Sequence, residues 1–165
     1  MAIETRPARP EEYDEAGRVT AAAYREFADS ESWDRYLEAI ADVEGRADVG
    51  LVLIAVEGSR VLGSATLELD ARIEEDEPPV PPNEASIRML GVDPSERGRG
   101  VARALMRECF DQARRAGRTR MSLHTTPRMK AAQAMYESMG FERLPDRTFP
   151  DGFVLLTYAR EIPPA

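Results

Sequence analysis

The stretch Val92–Leu105, VDPSERGRGVARAL, constrains the fold more than any other part of this 165-residue chain. It follows an apolar run typical of a strand, residues 85–92, and precedes a helix that we expect to end near Gly117. Arginines and glycines alternate from Arg97 to Gly100, where this helix begins. A helix N-terminus ordinarily favours Asp or Glu, because it carries a partial positive charge. The stretch therefore indicates a site for an anionic group.

A phosphate group suits this site. The first amide N–H groups of a helix have no intrahelical partner, glycine lets a ligand approach the backbone, and arginine adds charge-assisted contacts. The alternative is a simple turn followed by a solvated arginine face. The sequence contains neither the G-x-x-x-x-G-K-[ST] of a P-loop nor a complete dinucleotide-binding motif. These two classes of phosphate-binding protein are therefore not supported.

Charge is unevenly distributed along the chain. Residues 97–120 contain eight arginines against Glu108 and Asp111, a local net charge of +6, whereas the whole chain carries −8. The acidic balance argues against a general nucleic-acid binder. No apolar run approaches the roughly 20 residues of a membrane helix, and residues 1–15 lack the apolar core of a signal peptide. We expect a cytoplasmic protein with no nucleic-acid or membrane partner.

The counts of cysteine and histidine limit the chemistry further. The only cysteine is Cys109 and the only histidine is His124, which excludes an internal disulfide and a Cys/His zinc site. We expect no metal. Cys109 falls on the apolar stripe of its predicted helix and is therefore a poor candidate for a nucleophile.

The periodicity of the chain predicts one mixed α/β domain over residues 1–165, without an internal repeat or a linker. An acidic, proline-rich segment, residues 70–83, indicates a surface loop. Helices are expected at 10–27, 30–45, 101–117 and 127–139. Strands are expected at 3–6, in two runs within 49–69 joined at Glu57-Gly58-Ser59, and at 85–92, 120–126, 141–149 and 153–162.

The pattern V-D-P-x-x-R-G-x-G-x-A, from Val92 to Ala102, resembles the acetyl-CoA-binding motif of the GNAT N-acetyltransferase superfamily. The core signature of that family, [QR]-x-x-G-x-[GA], corresponds to Arg97–Ala102. The downstream pattern A-x-x-x-Y-E-x-x-G-F, from Ala132 to Phe141, strengthens the resemblance. It implies a central mixed, mostly antiparallel sheet of about six to seven strands, splayed between the fourth and fifth and flanked by about four helices.

The resemblance also implies a set of residues that bind acetyl-CoA. Backbone amides of the turn would hold the pyrophosphate, and the preceding strand would pair with the pantetheine arm as an added strand would. Met129 stands where many relatives have an asparagine that contacts the cofactor arm. The implied cofactor-binding residues are Leu90, Gly91, Val92, Arg97, Gly98, Arg99, Gly100, Val101, Ala102 and Arg103.

Tyr136 matches the tyrosine that often serves as general acid in this family and protonates the departing thiolate. A tyrosine with a pKa of about 10 is protonated at neutral pH, and its first role would be to donate a hydrogen bond to the thiolate. A positive environment would lower its pKa. The spacing of residues on the same helix also fits a core tyrosine, and this alternative stays open on spacing alone.

The base that deprotonates the amine is less clearly indicated. Glu84 lies just before the central strand, and His124 alternates with Ser122 along its strand; both are candidate bases. Family members often carry a glutamate at the position of Ser86, so a direct carboxylate base is in doubt here. A structural role for His124 is the alternative.

The leading hypothesis is an acetyl-CoA-dependent N-acetyltransferase of a small-molecule or peptide amine, working by direct attack without a covalent enzyme intermediate. One alternative is an acyl-CoA-binding sensor or interaction module without turnover; another is an acetyltransferase of a protein N-terminus or lysine. The sequence does not decide between a monomer and a homodimer. The acidic segment would be solvated surface or would attract an amine and close over the cleft.

Overall fold

Seven strands form one mixed sheet in the part of the chain that the structure, a computed structural model, describes: residues 2–73 and 78–164. The strands are β1 (Glu4–Pro7), β2 (Leu51–Glu57), β3 (Arg60–Glu68), β4 (Glu84–Val92), β5 (Arg120–Thr125), β6 (Glu142–Thr148) and β7 (Val154–Glu161). Their order is β1-β2-β3-β4-β5-β7-β6. Only β4 and β5 pair in parallel; the other neighbours are antiparallel. The predicted mixed, mostly antiparallel sheet is confirmed.

Five α-helices flank the sheet within the described ranges: α1 (Tyr13–Tyr24), α2 (Glu31–Ala41), α3 (Val43–Ala47), α4 (Val101–Arg115) and α5 (Lys130–Ser138). The helix predicted over 10–27 is α1 with a short 3-10 turn at each end. Ser30 caps α2, accepting a hydrogen bond from the amide of Trp33 at 3.3 Å.

The prediction of one continuous helix over 30–45 was wrong, because the helix breaks at Asp42. Asp42 leaves the helical conformation, with φ −86° and ψ 73°, and its side chain accepts a hydrogen bond from the amide of Gly45 at 3.0 Å. An aspartate that bonds to a backbone amide in this way starts a new helix rather than continuing the old one. The predicted helix over 127–139 begins three residues later, at Lys130.

The helices lie on opposite faces of the sheet, and strand alternation decides which side chains each helix covers. On one face, α4 packs Met106, Cys109 and Phe110, and α5 packs Tyr136, against residues of β4, β5 and β7 in the main core. On the other face, Ala16 of α1 packs against alternate residues of β2. The central strands are therefore buried on both faces, which explains the nearly continuous apolar runs in 49–69.

Two irregularities separate β4 from β5. They pair only over 84–87 and 120–123, although both strands continue beyond these residues. On its other edge β4 contains a bulge, because Met89 and Leu90 together lie opposite Ala65 in β3. Met89 has φ +52°, a left-handed conformation rare for a side chain of this size. A bulge bends its strand, so β4 and β5 diverge beside it, as the predicted splay requires.

No helix within the described residues is long and apolar enough to cross a membrane.

Candidate active site

A cleft of about 1960 Å³ opens where β4 and β5 diverge. A pocket for one drug-sized ligand usually measures roughly 300–1,000 Å³, so this cleft has room for two reactants. Five parts of the chain line it: α1 and α2 with their connection, the end of β4, the turn before α4, the β5–α5 region, and the β6–β7 hairpin.

The turn before α4 presents backbone amides to the cleft. Gly98 and Gly100 have φ of +82° and +80°, and no atom lies within 4 Å of the position that a Cβ would occupy on either. Their backbone conformation, not crowding, therefore demands glycine. Gly100 is the N-cap of α4 and no side chain caps this helix; its first intrahelical bond joins the amide of Ala104 to the Gly100 carbonyl at 3.0 Å. The amides of residues 101–103 are thus free of intrahelical bonds.

The arginines of the turn differ in position. Arg97 and Arg103 line the cleft, Arg97 paired with Glu26 and Arg103 donating to the Ser138 hydroxyl at 2.7 Å. Arg99 does not line it, because its guanidinium binds Glu57 and Glu96, and these hydrogen bonds raise its pKa. Only part of the arginine cluster in the sequence therefore faces a ligand.

The end of β4 offers a free strand edge. Leu90, Gly91 and Val92 line the cleft, and beyond Ile87 no strand among the described residues pairs with the β5-facing edge of β4. An extended chain with amide groups is the ligand that such an edge pairs with.

Tyr136 lies in the wall of the cleft, on α5. It is 5% exposed, and its ring centre lies 5.9 Å from those of Phe141 and Tyr158. Burial raises the pKa of Tyr136, with a smaller contribution from nearby Cys109. The surroundings of the Tyr136 hydroxyl therefore favour its neutral form. A protonated hydroxyl at this place is a hydrogen-bond donor at neutral pH.

His124 and Arg88 occupy facing lips of the cleft. Because β4 and β5 pair Ser86 with Ser122, Arg88 and His124 are the next residues on the same face, at the point where the strands separate. The Nδ1 atom of His124 lies 3.1 Å from the hydroxyl oxygen of Thr157, which holds the ring. Ser86 itself is fully buried, and its hydroxyl has no hydrogen-bond partner among the described residues.

Glu84 and Cys109 lie outside the cleft. Glu84 is the first residue of β4, at the end where β4 and β5 remain paired, and its carboxylate contacts the Nε of Arg120 at 3.0 Å. The structure does not bring it to the other candidate residues. Cys109, on α4, is completely buried, and burial raises the pKa of its thiol.

The family model of the acetyltransferase (GNAT) family matches residues 13–141. The chain belongs to this GNAT family.

Individual relatives agree with this assignment. N-alpha-acetyltransferase RimI of Mycobacterium tuberculosis is 42% identical over 64 residues, 39% of either chain. A mycothiol acetyltransferase of Geodermatophilus obscurus is 29% identical over 126 residues, 76% of this chain and 40% of that protein. The chain thus spans about two fifths of the length of these relatives. The crystal structure of PaiA N-acetyltransferase from Thermoplasma acidophilum in complex with coenzyme A has a TM-score of 0.74 at 17% identity, covering 98% and 99% of the two chains, and shows the same fold.

Sequence reasoning missed the aromatic residues that line the cleft of this GNAT protein. Trp33 and Tyr36 are three residues apart on α2, and Phe149 and Phe153 flank the tip of the β6–β7 hairpin. The spacing in α2 was a usable signal, although such spacing also predicts a core contact. The expected closing of the acidic loop depends on Glu74–Glu77, which lie outside the described residues.

Within the described residues no cluster of three or more His, Cys, Asp or Glu side chains is arranged to hold a metal ion.

Proposed function

We propose that this GNAT protein transfers an acetyl group from acetyl-CoA to a primary amine. One observation carries the proposal: the uncapped N-terminus of α4, the unpaired edge of β4 and the buried Tyr136 line a single cleft. Helix N-termini bind phosphate groups, and a free strand edge binds an extended amide chain. Coenzyme A has both parts, and a structural neighbour was solved with it bound.

The residues present fit acetyl-CoA. The amides of the Gly98–Arg103 turn would hold its pyrophosphate, with the side chains of Arg97 and Arg103 adding positive charge. The backbone of Leu90–Val92 would pair with its pantetheine arm. When bound there, acetyl-CoA supplies an acyl group activated as a thioester.

Tyr136 and His124 would handle the protons. An amine with a pKa of about 10.4 is only about one part in a thousand neutral near pH 7, so the attacking nitrogen needs a base. His124 is the candidate, directly or through water, because its ring lies at the lip of the gap and Thr157 orients it. The Tyr136 hydroxyl donates a hydrogen bond to the departing sulfur. Because Cys109 is buried away from the cleft, we propose direct attack by the amine without a covalent enzyme intermediate.

A protein N-terminus is the second candidate acceptor. The similarity to RimI, which is named an N-alpha-acetyltransferase, supports this candidate; that similarity extends over 39% of the chain. Including peptides in the acceptor screen distinguishes a protein N-terminus from a small amine.

The test is a thiol-release assay with acetyl-CoA over a panel of small amines and peptides, on the wild type and on Tyr136→Phe. We expect Tyr136→Phe to retain coenzyme A binding and to lower kcat about 100-fold or more, as loss of a catalytic proton donor does. Tyr158→Phe is the matched control, since Tyr158 is also buried but donates to Glu137 at 2.8 Å and does not line the cleft. Undiminished turnover in Tyr136→Phe would remove its catalytic role, and failure of the wild type to bind coenzyme A would overturn the proposed function.

A further inference from the structure

The aromatic side chains of this protein are concentrated in the cleft rather than in the core. The chain has eleven Phe, Trp and Tyr residues, all within the described ranges, and seven of them line the cleft. One of the seven is Tyr136. The other six form two groups on elements that do not bind the acetyl donor in the proposed function. The first aromatic wall is Tyr24, Phe27, Trp33 and Tyr36; the second aromatic wall is Phe149 and Phe153.

The first aromatic wall is an ordered array. The ring centres of Trp33 and Tyr36 are 5.6 Å apart at an interplanar angle of 72°, and those of Tyr24 and Tyr36 are 6.5 Å apart at 84°. These are edge-to-face contacts, the geometry that aromatic pairs prefer. Ser30 caps α2 and so fixes the helix turn that carries Trp33. All four side chains are half-buried, which leaves part of each ring in the cleft.

The second aromatic wall is held by the tip of the β6–β7 hairpin. The amide of Phe149 donates to the carbonyl of Phe153 at 2.8 Å, and the carboxylate of Asp151 accepts from the amide of Phe153 at 3.0 Å. The two rings lie 5.8 Å apart, and the Arg147 guanidinium stacks on Phe149 at 4.8 Å. Phe153 remains 39% exposed, one of two large apolar side chains so exposed among the described residues. This hairpin therefore presents a fixed, solvated ring to the cleft.

We propose that the acceptor is a small primary amine that carries an aromatic ring. The inference rests on the proposed acetyltransferase activity and names its substrate class. The accessible part of each half-buried ring can make edge-to-face or offset-stacked contacts with a further ring, and such contacts are worth more than the burial of an equal aliphatic area, so the walls favour a planar π-system. The carboxylate of Asp151 lines the same cleft and attracts the cationic form of an amine before it loses its proton, whereas that of Asp29 is paired with Arg128. The two aromatic walls lie on elements from opposite sides of the gap between β4 and β5. An acceptor that contacts both walls therefore lies inside the cleft, which suits a compact molecule.

The test compares 2-phenylethylamine with hexylamine, ethanolamine and a tetrapeptide that begins with Phe, by kcat/KM in the thiol-release assay. We expect kcat/KM for 2-phenylethylamine to exceed that for each of the other three at least about tenfold. Trp33→Leu and Phe153→Ala should abolish most of this preference and leave the KM for acetyl-CoA unchanged. Val49→Ala is the control, because Val49 is also 39% exposed but does not line the cleft.

A binding measurement makes the test independent of turnover. Trp33 is the only tryptophan of the chain, so its fluorescence reports on the first aromatic wall alone. With coenzyme A present, 2-phenylethylamine should change this fluorescence saturably at concentrations about tenfold below those that hexylamine requires, and Phe153→Ala should weaken the effect.

The outcomes separate the two proposals. Equal kcat/KM and equal binding for the aromatic and aliphatic amines would overturn the aromatic acceptor while leaving the acetyltransferase intact. A clear preference for the peptide would overturn the small acceptor. No thiol release with any amine would count against the proposed function, whereas selective binding of 2-phenylethylamine would still support the aromatic site.

Discussion

Glu12 shows how one side chain ties the start of the chain to the sheet. Its carboxylate binds the guanidinium of Arg6, on β1, in a bidentate pair at 2.8 and 2.7 Å, and it also accepts from the amide of Arg9 at 2.8 Å. These hydrogen bonds, led by that of Arg6, lower the pKa of Glu12 from its ordinary value of 4.5 to about 2. The ionised carboxylate therefore stabilises the folded state.

We expect Glu12→Gln to lower the free energy of unfolding at pH 7 by about 1 kcal/mol, a figure reduced for the partial solvation of the pair. Because the folded pKa lies below the unfolded one, the contribution of Glu12 is complete above pH 4.5 and is lost as the pH falls toward 2. Urea unfolding of the wild type and the variant at pH 7 and pH 3 measures it. Glu11→Gln, an exposed neighbour, is the control. A difference that does not shrink at pH 3 would contradict this origin.

For Tyr136, the sequence predicted the residue but not its surroundings. The downstream A-x-x-x-Y-E-x-x-G-F pattern was enough to single it out. Its environment was not predictable, because Phe141 and Tyr158 reach its ring from other elements and bury it. Glu84 and His124 were equal candidates in sequence, and only the end of the strand at which each lies distinguishes them.

At the scale of an element, α4 begins with two glycines that serve the cleft and ends with one that does not. Gly100 and Gly117 have φ of +80° and +77°, and neither has an atom within 4 Å of a Cβ position. Gly100 lines the cleft, whereas Gly117 follows the C-terminal end of the helix outside it. The two positions carry the same backbone strain and differ in what they face.

We expect Gly100→Ala and Gly117→Ala each to lower the free energy of unfolding by about 1–2 kcal/mol, the cost of a left-handed alanine. Only Gly100→Ala should weaken coenzyme A binding, because Gly100 lines the cleft and Gly117 does not. Calorimetric titration with coenzyme A, alongside unfolding curves, checks both effects. Equal losses of affinity in the two variants would mean that strain, not contact, limits binding.

Ion pairs also join the segment between α1 and α2 to both sides of the cleft. Glu26 pairs with Arg97 of the turn before α4, and Asp29 pairs with Arg128 of the β5–α5 connection at 3.0 Å. The Arg128 guanidinium also lies 6.0 Å from the centre of the Phe27 ring. The carboxylate of Glu26 therefore pairs with the Arg97 guanidinium, to which a phosphate group would also bind.

We expect Glu26→Gln to tighten coenzyme A binding about twofold to fivefold at low ionic strength, with the gain lost as salt screens the exposed charges. The dissociation constant at two salt concentrations measures it. Glu57→Gln removes the same charge from Arg99, which does not line the cleft, and should leave the affinity unchanged. Weaker binding in Glu26→Gln would show that the pair supports the turn instead.

At the scale of the whole molecule, the two central strands β4 and β5 pair over four residues each, 84–87 and 120–123. The two halves diverge beyond them, and the cleft lies in the gap. A ligand that pairs with the free edge of β4 and contacts α5 would connect the two halves, so its binding should stabilise the entire fold.

We expect coenzyme A at about 100 times its dissociation constant to raise the free energy of unfolding by about 2.7 kcal/mol and Tm by roughly 5–10 °C. Thermal unfolding followed by circular dichroism measures the shift. Gly117→Ala should show the same ligand-induced shift, whereas Gly100→Ala should show little at the same concentration. A wild-type Tm that coenzyme A leaves unchanged would contradict binding to the folded state.

The sequence by itself determined the features that depend on neighbouring residues: the strand–turn–helix of 85–117, the glycine-rich turn within it, the uncapped helix start, and the motif by which the chain resembles its family. These follow from local backbone chemistry, which a short segment contains completely. The tertiary structure decided the bulge at Met89, the divergence of β4 from β5, the exclusion of Glu84 and Arg99 from the cleft, and the raised pKa of Tyr136. It also brought the first aromatic wall to the same cleft as Phe149 and Phe153, more than a hundred residues away. Such arrangements depend on packing between distant segments, and no local pattern in the sequence records which of them will meet.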